Sequence, residues 1–117
     1  MRVLAIDQGT SATKALVIDD DGVVAGQAEV PVTVRTPGEG VAEVDPDELW
    51  ASVLTAGREA VARAGGAIDA VGVANQGETV LAWERSTGRP SSTAVVWHDR
   101  RATDVCRQVE PPLTDYG

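Results

Sequence analysis

Cysteine occurs once in the 117 residues, at Cys106, so no internal disulfide can form and a reducing compartment is the expected setting. Positive charge is scarce as well. Ten Lys and Arg stand against 18 Asp and Glu, a formal net charge of -8, and no basic run is longer than Arg100-Arg101. A polyanion has nothing to grip, which argues against nucleic acid as a partner. Long apolar spans are missing, Asp7 interrupts the first apolar run, and no charged-then-apolar leader is present. The chain is therefore expected to be soluble and cytoplasmic, without membrane contact. Two familiar phosphate devices are absent too: there is no "GxxxxGK[ST]" and no "GxGxxG" after the first strand. The lone histidine, His98, has no second histidine and no ligand spacing around it, which argues against a metal role. At this length one modest domain is the ceiling, with roughly two thirds of its extended surface buried on folding.

What is present is a regular alternation of short elements. Val3 to Ile6 reads as an apolar strand, "KALVI" from Lys14 to Ile18 as a second and "VVAGQAEV" as a third, an antiparallel meander. "DQGTSAT" turns between the first two, and "DDDG" at Asp19 to Gly22 between the next, with Gly22 supplying the positive φ of a tight hairpin. Residues 31 to 44 read as a loop with an edge strand at Val41 to Val44. "DPDELW" then opens a helix, with Asp45 as N-cap, Pro46 at N1 and Glu48 at N3 reaching back as in a capping box. Leu49, Val53, Ala56, Ala60 and Ala64 recur at helical spacing, widened by Trp50, Leu54 and Val61, and Gly65-Gly66 stops the helix. The Leu49, Val53, Ala60 face is expected to pack on the meander. "DAVGVAN" and "TVLAWE" follow as strands, "RSTGRP" as a turn, "TAVVW" as a short strand, and Asp99 to about Val109 as a helical tail stopped by "EPP". The pattern is mixed α/β and not a doubly wound unit, because a hairpin follows the first strand.

The first turn carries the most suggestive chemistry. Asp7 closes an apolar strand, so its carboxylate projects from a rigid element and suits a hydrated Mg²⁺ that accompanies a nucleotide. Gly9 thins the turn, while Thr10, Ser11 and Thr13 place hydroxyls beside exposed backbone N–H groups, a concave set of donors that suits phosphate oxygens. Lys14, the only lysine, adds a point charge or lies on the outer face of the second strand as a solvated cation. Asp, Gly, Thr and Ser also make turns for purely structural reasons, so the turn alone leaves both readings open. Farther along, Asp99 reads as a helix N-cap, Arg101 as the partner of Asp104 on the next turn, and Cys106 as a buried thiol. Trp50 and Trp83 read as core or rim packing.

Four blocks occur in order: "DQGTSATKALVIDDDG", "GVAEVDPDELW", "VGVANQGETVLAWERSTGRP" and "AVVWHDRRATDVC". Together they resemble the amino-terminal part of the FGGY family of carbohydrate kinases, nearest its glycerol kinase branch, over nearly the whole chain. The resemblance implies an α/β, ribonuclease-H-like (actin-like ATPase) fold, here a partial first domain in which the three-strand meander joins a mixed sheet. It also implies transfer of the γ-phosphoryl group of ATP, with Mg²⁺, to a hydroxyl of a small polyol or sugar. By position it assigns Asp7 to the metal and phosphate region and Thr10, Ser11 and Lys14 to the nucleotide phosphates. Lys14 stands where these enzymes usually carry arginine. Ala12 stands where serine is typical, leaving its backbone N–H. In "NQGET", Gly77 and Glu78 stand where glycerol kinases have an arginine and a glutamate that contact the polyol. Glu78 matches, whereas Gly77 lacks the forked donor of arginine and opens volume.

The same resemblance places the catalytic base and the adenine site beyond Gly117, so residues 1 to 117 are expected to be a truncated portion of kinase domain I, with the second domain absent. A sheet that lacks further strands exposes an edge, leaving self-association into a homo-oligomer, or a complementary chain, as ways to cover it. Two function classes follow: a carbohydrate kinase of which this is a part, or a non-catalytic fragment or interaction module that keeps the fold without turnover.

Overall fold

Alternating apolar and small side chains pair β1 (Val3–Gln8) with β2 (Ala12–Ile18) as an antiparallel hairpin in this computed structural model, which describes residues 1–109. The register sets Asp7 opposite Lys14 and Gln8 opposite Thr13. β3 (Val24–Pro31) continues the meander against β2, after a turn in which Gly22 takes φ 75°. β4 is only Glu43–Val44, shorter than the expected edge strand, and α1 spans Pro46–Ala64. β5 (Ala70–Asn75) then returns to lie parallel to β1, so the main sheet runs β3-β2-β1-β5. That parallel return is the step that turns a meander into a mixed sheet.

The helix is capped as expected at one residue and not at another. The Asp45 carboxylate accepts from the Asp47 N–H at 3.0 Å, and Pro46 occupies the first turn. Glu48 does not close a capping box: its Oε1 accepts from the Thr33 N–H at 2.6 Å instead. The reason is tertiary. The chain leaving β3 passes the helix start, and Arg35 reaches both Asp45 and Glu48 there, at 3.7 and 4.0 Å. Gly65, at φ 65°, ends the helix by donating its N–H to the Val61 carbonyl.

α1 covers one face of β1, β2 and β3 with an inward row of Ser52, Ala56, Gly57 and Ala60. Against it pack Leu4, Ile6, Ala15, Val17 and Ala28, flanked by Val53, Val61 and Ala64. Leu49 departs from the expected stripe, joining a second small cluster of Val32, Ala42, Val44 and Val96. Trp50 departs further, being 62% exposed. Thr13 also turns inward: it is fully buried, its Oγ1 2.6 Å from the Ser52 hydroxyl, so its hydroxyl is a core contact and not part of the turn's outer surface. Odd-even alternation along β2 causes this, because Thr13, Ala15 and Val17 share the helix-facing side.

"TVLAWE" forms no strand. It makes isolated bridges instead, Val80 with Val95 and Trp83 with Pro90, closed by a turn in which Gly88 takes φ 70° and donates to the Glu84 carbonyl. β6 is Ala94–Val95, paired with β4 in a second, two-stranded sheet. The second helix, α2, spans Thr103–Val109, four residues shorter at its start than expected, and buries none of its side chains among the described residues. Cys106 is accordingly exposed, against the expected buried thiol. The stop at "EPP" concerns residues 110–112 and lies outside the described residues. Among the described residues no helix is long and apolar enough to cross a membrane.

Candidate functional site

β1 runs two residues past the apolar core, so Asp7 is still in the strand when it leaves the hydrophobic face. Leu4 and Ile6 point at α1, and alternation sends Ala5 and Asp7 to the opposite side. There Asp7, Lys14, Ala5, Leu16, Gly72 and Ala74 line an open groove of about 440 Å³. The Asp7 carboxylate is exposed and makes no hydrogen bond or ion pair among the described residues. Lys14 lies across the ladder from it, yet its ammonium leans the other way, 3.8 Å from Glu29 on β3. Three or more His, Cys, Asp or Glu side chains are nowhere clustered as a metal cage among the described residues. A single free carboxylate beside a tight turn with unpaired backbone N–H groups suits Mg²⁺, which usually takes one or two protein carboxylates and draws its remaining ligands from water and phosphate.

The turn itself is tight. The Gly9 N–H donates to the Ala12 carbonyl at 3.0 Å, and a side chain at Gly9 would meet that same oxygen at 2.9 Å. Val32 N–H caps the Ser11 carbonyl. The Thr10 and Ser11 N–H groups make no hydrogen bond among the described residues. Ala12 begins β2 without a polar side chain.

A second set of residues meets this turn from far along the chain. Because β5 lies beside β1, the loop after β5 emerges next to the loop after β1: the Gln76 N–H donates to the Gln8 carbonyl at 2.9 Å. The Thr10 hydroxyl donates to Gln76 Oε1 at 2.8 Å and accepts from Trp97 Nε1 at 3.0 Å. Gln76, Gly77, Glu78 and Trp97 line a shallow concavity of about 380 Å³. Glu78 sits at φ 62°, a left-handed conformation rare for a residue with a side chain. Such strain persists where the surroundings impose it and concentrates at functional positions. Gly77 is not in that region, and a Cβ placed there would touch nothing within 4 Å.

Gln76 and Trp97 were not evident from sequence. Trp97 reads there as the end of a strand; the available signal was an indole placed between the buried Val96 and a polar turn. His98 packs edge-on against it, ring centroids 5.0 Å apart. Asp99 holds this loop in place. It is not a helix N-cap, since α2 begins at Thr103; its side chain, only 4% exposed, accepts from the Ala42 N–H at 2.6 Å and from the Arg101 N–H at 3.0 Å. Arg101 pairs with Asp99 at 2.8 Å and Glu43 at 3.0 Å, leaving Asp104 to Arg107. The Arg101 guanidinium, helped by those two backbone donors, lowers the Asp99 carboxyl to about 2. A carboxyl more acidic folded than unfolded stabilises the fold above its ordinary value of 3.8, and loses that contribution as pH falls toward 2. Urea midpoints of the parent and Asp99→Asn should therefore differ most above pH 3.8 and converge as pH is lowered through that window. A constant difference would assign the acid sensitivity elsewhere.

Residues 2–115 match the FGGY family of carbohydrate kinases, N-terminal domain. A glycerol kinase of Verminephrobacter eiseniae is 44% identical over 110 residues, which cover 92% of this chain and 22% of that protein. The Plasmodium falciparum glycerol kinase structure with ADP superposes with a TM-score of 0.84 at 28% identity, over 92% of this chain and 22% of that one. The xylulose kinase of Rhodospirillum rubrum has the same fold, with a TM-score of 0.87 at 23% identity and the same coverage. The chain thus spans about a fifth of the length of the relatives it matches. With a β3-β2-β1-β5 mixed sheet of ribonuclease-H-like, actin-like type and a match across nearly all of its residues, the chain belongs to the FGGY family of carbohydrate kinases, on the glycerol kinase branch.

Proposed function

We propose that residues 1–117 are the amino-terminal part of the first domain of a longer kinase that transfers a phosphoryl group from ATP to a hydroxyl of a polyol or sugar. One observation carries this reading: the Thr10 hydroxyl belongs to the tight turn after β1 and at the same time bonds to both walls of the Gln76–Trp97 concavity. Phosphoryl transfer needs a donor phosphate and an acceptor hydroxyl held side by side, and little covalent work from the protein. In this reading the Thr10, Ser11 and Ala12 backbone N–H groups and the Lys14 charge take phosphate oxygens. Asp7 holds Mg²⁺, which when bound neutralises charge developing on the transferred group. Glu78 accepts a hydrogen bond from an acceptor hydroxyl, and the exposed Trp97 ring packs against the acceptor's C–H surface. The proton-accepting base lies beyond Gly117, so the 117 residues alone are expected to show no turnover. A cytoplasmic, non-membrane setting and a small-molecule acceptor fit the same reading.

Gly77 makes the acceptor a matter for measurement. An arginine fork at that position would serve vicinal hydroxyls, and losing a hydrogen-bonding partner costs ~1–3 kcal/mol, a factor of about 5 to 160 in kcat/KM. The complete kinase should therefore prefer an acceptor other than glycerol in a panel of C3 to C6 polyols, ketoses and aldoses. Gly77→Arg meets no steric obstacle at its Cβ and should shift preference toward glycerol. Glycerol giving the highest kcat/KM in the unsubstituted enzyme would refute the acceptor argument, and no ATP-dependent turnover with any acceptor would refute the kinase reading.

A further inference from the structure

The hydrogen bonds around Thr10 have a fixed polarity at one end and a free one at the other. Indole Nε1–H only donates, so Trp97 must give its proton to Thr10 Oγ1. The Thr10 hydroxyl has one proton of its own, and it is directed at Gln76 Oε1, 66 residues away in sequence. While that bond stands, the hydroxyl cannot donate to a phosphate oxygen. The Gln76 carboxamide is itself incompletely satisfied: its Nε2 is buried and has no partner among the described residues, and the same holds for the neighbouring Thr79 Oγ1. An orphaned amide donor makes this arrangement costly to keep. Rotating the carboxamide by half a turn would let Nε2 donate to the second lone pair of Thr10 Oγ1. The Thr10 proton would then be released toward the turn. Both partners of Thr10 line the concavity beside Glu78.

We propose that Gln76 and Trp97 act as positioning residues that couple the two substrates, because occupancy of their concavity sets the direction of the Thr10 hydroxyl and hence the affinity of the turn for nucleotide phosphate. The proposal rests on the kinase reading above and goes beyond it, since side-by-side binding does not require that one substrate change the affinity for the other. Coupling of this kind is reciprocal and is measured as the factor by which saturation with one substrate changes the dissociation constant of the other.

The test is a two-substrate steady-state analysis of the complete kinase, varying Mg²⁺ATP against the best acceptor of the panel. The unsubstituted enzyme should show ATP tightening by roughly fivefold or more as acceptor saturates, within the usual range for coupled sites. Thr10→Val and Gln76→Leu should each bring the factor near one, the double variant should lose no more than either single one, and Thr10→Ser should retain the coupling because it keeps the hydroxyl. A merely structural role would lower kcat or stability while leaving the factor unchanged, and that result overturns the proposal. Independent substrate binding in the unsubstituted, active enzyme overturns it as well while leaving the kinase reading intact. Absence of turnover with every acceptor removes both.

Discussion

Alanine at position 26 is expected to destabilise the fold by roughly 3 kcal/mol, out of a total that for a domain of this size is only about 5–15 kcal/mol. Gly26 lies on β3 directly beneath the last turns of α1. A Cβ there would come within 2.6 Å of the Ala64 N and closer still to the Ala60 carbonyl oxygen. Both are backbone atoms of a helix, so neither can step aside as a side-chain tip would. Relief requires the helix to lift from β3, and that opens the Ala56, Ala60, Ala28 contact along its length. The same substitution at Gly57 provides the contrast. There the new methyl would meet Ile6 Cδ1 at 3.5 Å and Leu4 Cδ2 at 3.6 Å, ordinary contacts, and the helix would gain about 1 kcal/mol of intrinsic propensity. Urea denaturation of the two variants should move the midpoint in opposite directions. If Gly26→Ala unfolds at the parent midpoint, the close approach of helix to strand is not what the structure describes.

Asp7→Asn in the complete kinase should lower kcat by about a hundredfold or more while changing acceptor KM little. The carboxylate is exposed, unpaired among the described residues and aimed away from the core, so the substitution removes a charge without creating a cavity or an orphaned partner. Under the proposed function, what it removes acts on the cation and the transferring phosphoryl group, where charge develops in the transition state, and preorganised electrostatics of that kind are commonly worth ~3–4 kcal/mol. Steady-state kinetics with saturating Mg²⁺ATP separates the effects, since a loss confined to kcat marks an interaction made in the transition state. Unchanged kcat would remove Asp7 from the site.

The elements legible in the sequence were those whose cause is local. β1, β2 and β3 follow from alternation plus the Gly22 turn, and α1 follows from Asp45, Pro46 and the terminal Gly65. Where the cause is distant, reading failed. Glu48 has the right spacing for a capping box and is taken by Thr33 instead. "TVLAWE" has the alternation of a strand, but only Val80 and Trp83 find bridge partners. Cys106 has helical spacing on a helix that buries none of its side chains among the described residues. The candidate site divides along the same line. Asp7, Thr10, Ser11, Gly77 and Glu78 were noticed because polar residues crowd short turns, with the family resemblance ordering them. Gln76 and Trp97 were not, because their part depends on where β5 lands and on Asp99 anchoring a loop to Ala42.

The parallel pairing of β5 with β1 also fixes an order of assembly. β2 and β3 reach their neighbours through short turns, whereas β5 joins β1 only after a long loop is closed, the Arg2 N–H meeting the Asp69 carboxylate across 67 positions. Contacts of such separation cost loop-closure entropy before they return any stabilisation, so they form late. Within these 117 residues β5 is also the strand left most open to solvent, with Val71 60% and Val73 68% exposed. Release of this one strand, well short of global unfolding, would carry Gln76, Gly77 and Glu78 away from Thr10 and leave the Asp7 turn standing on its hairpin. Within these 117 residues the two halves of the site are therefore expected to differ in lifetime: one is as durable as the β1–β2 hairpin, and the other exists only while β5 stays docked.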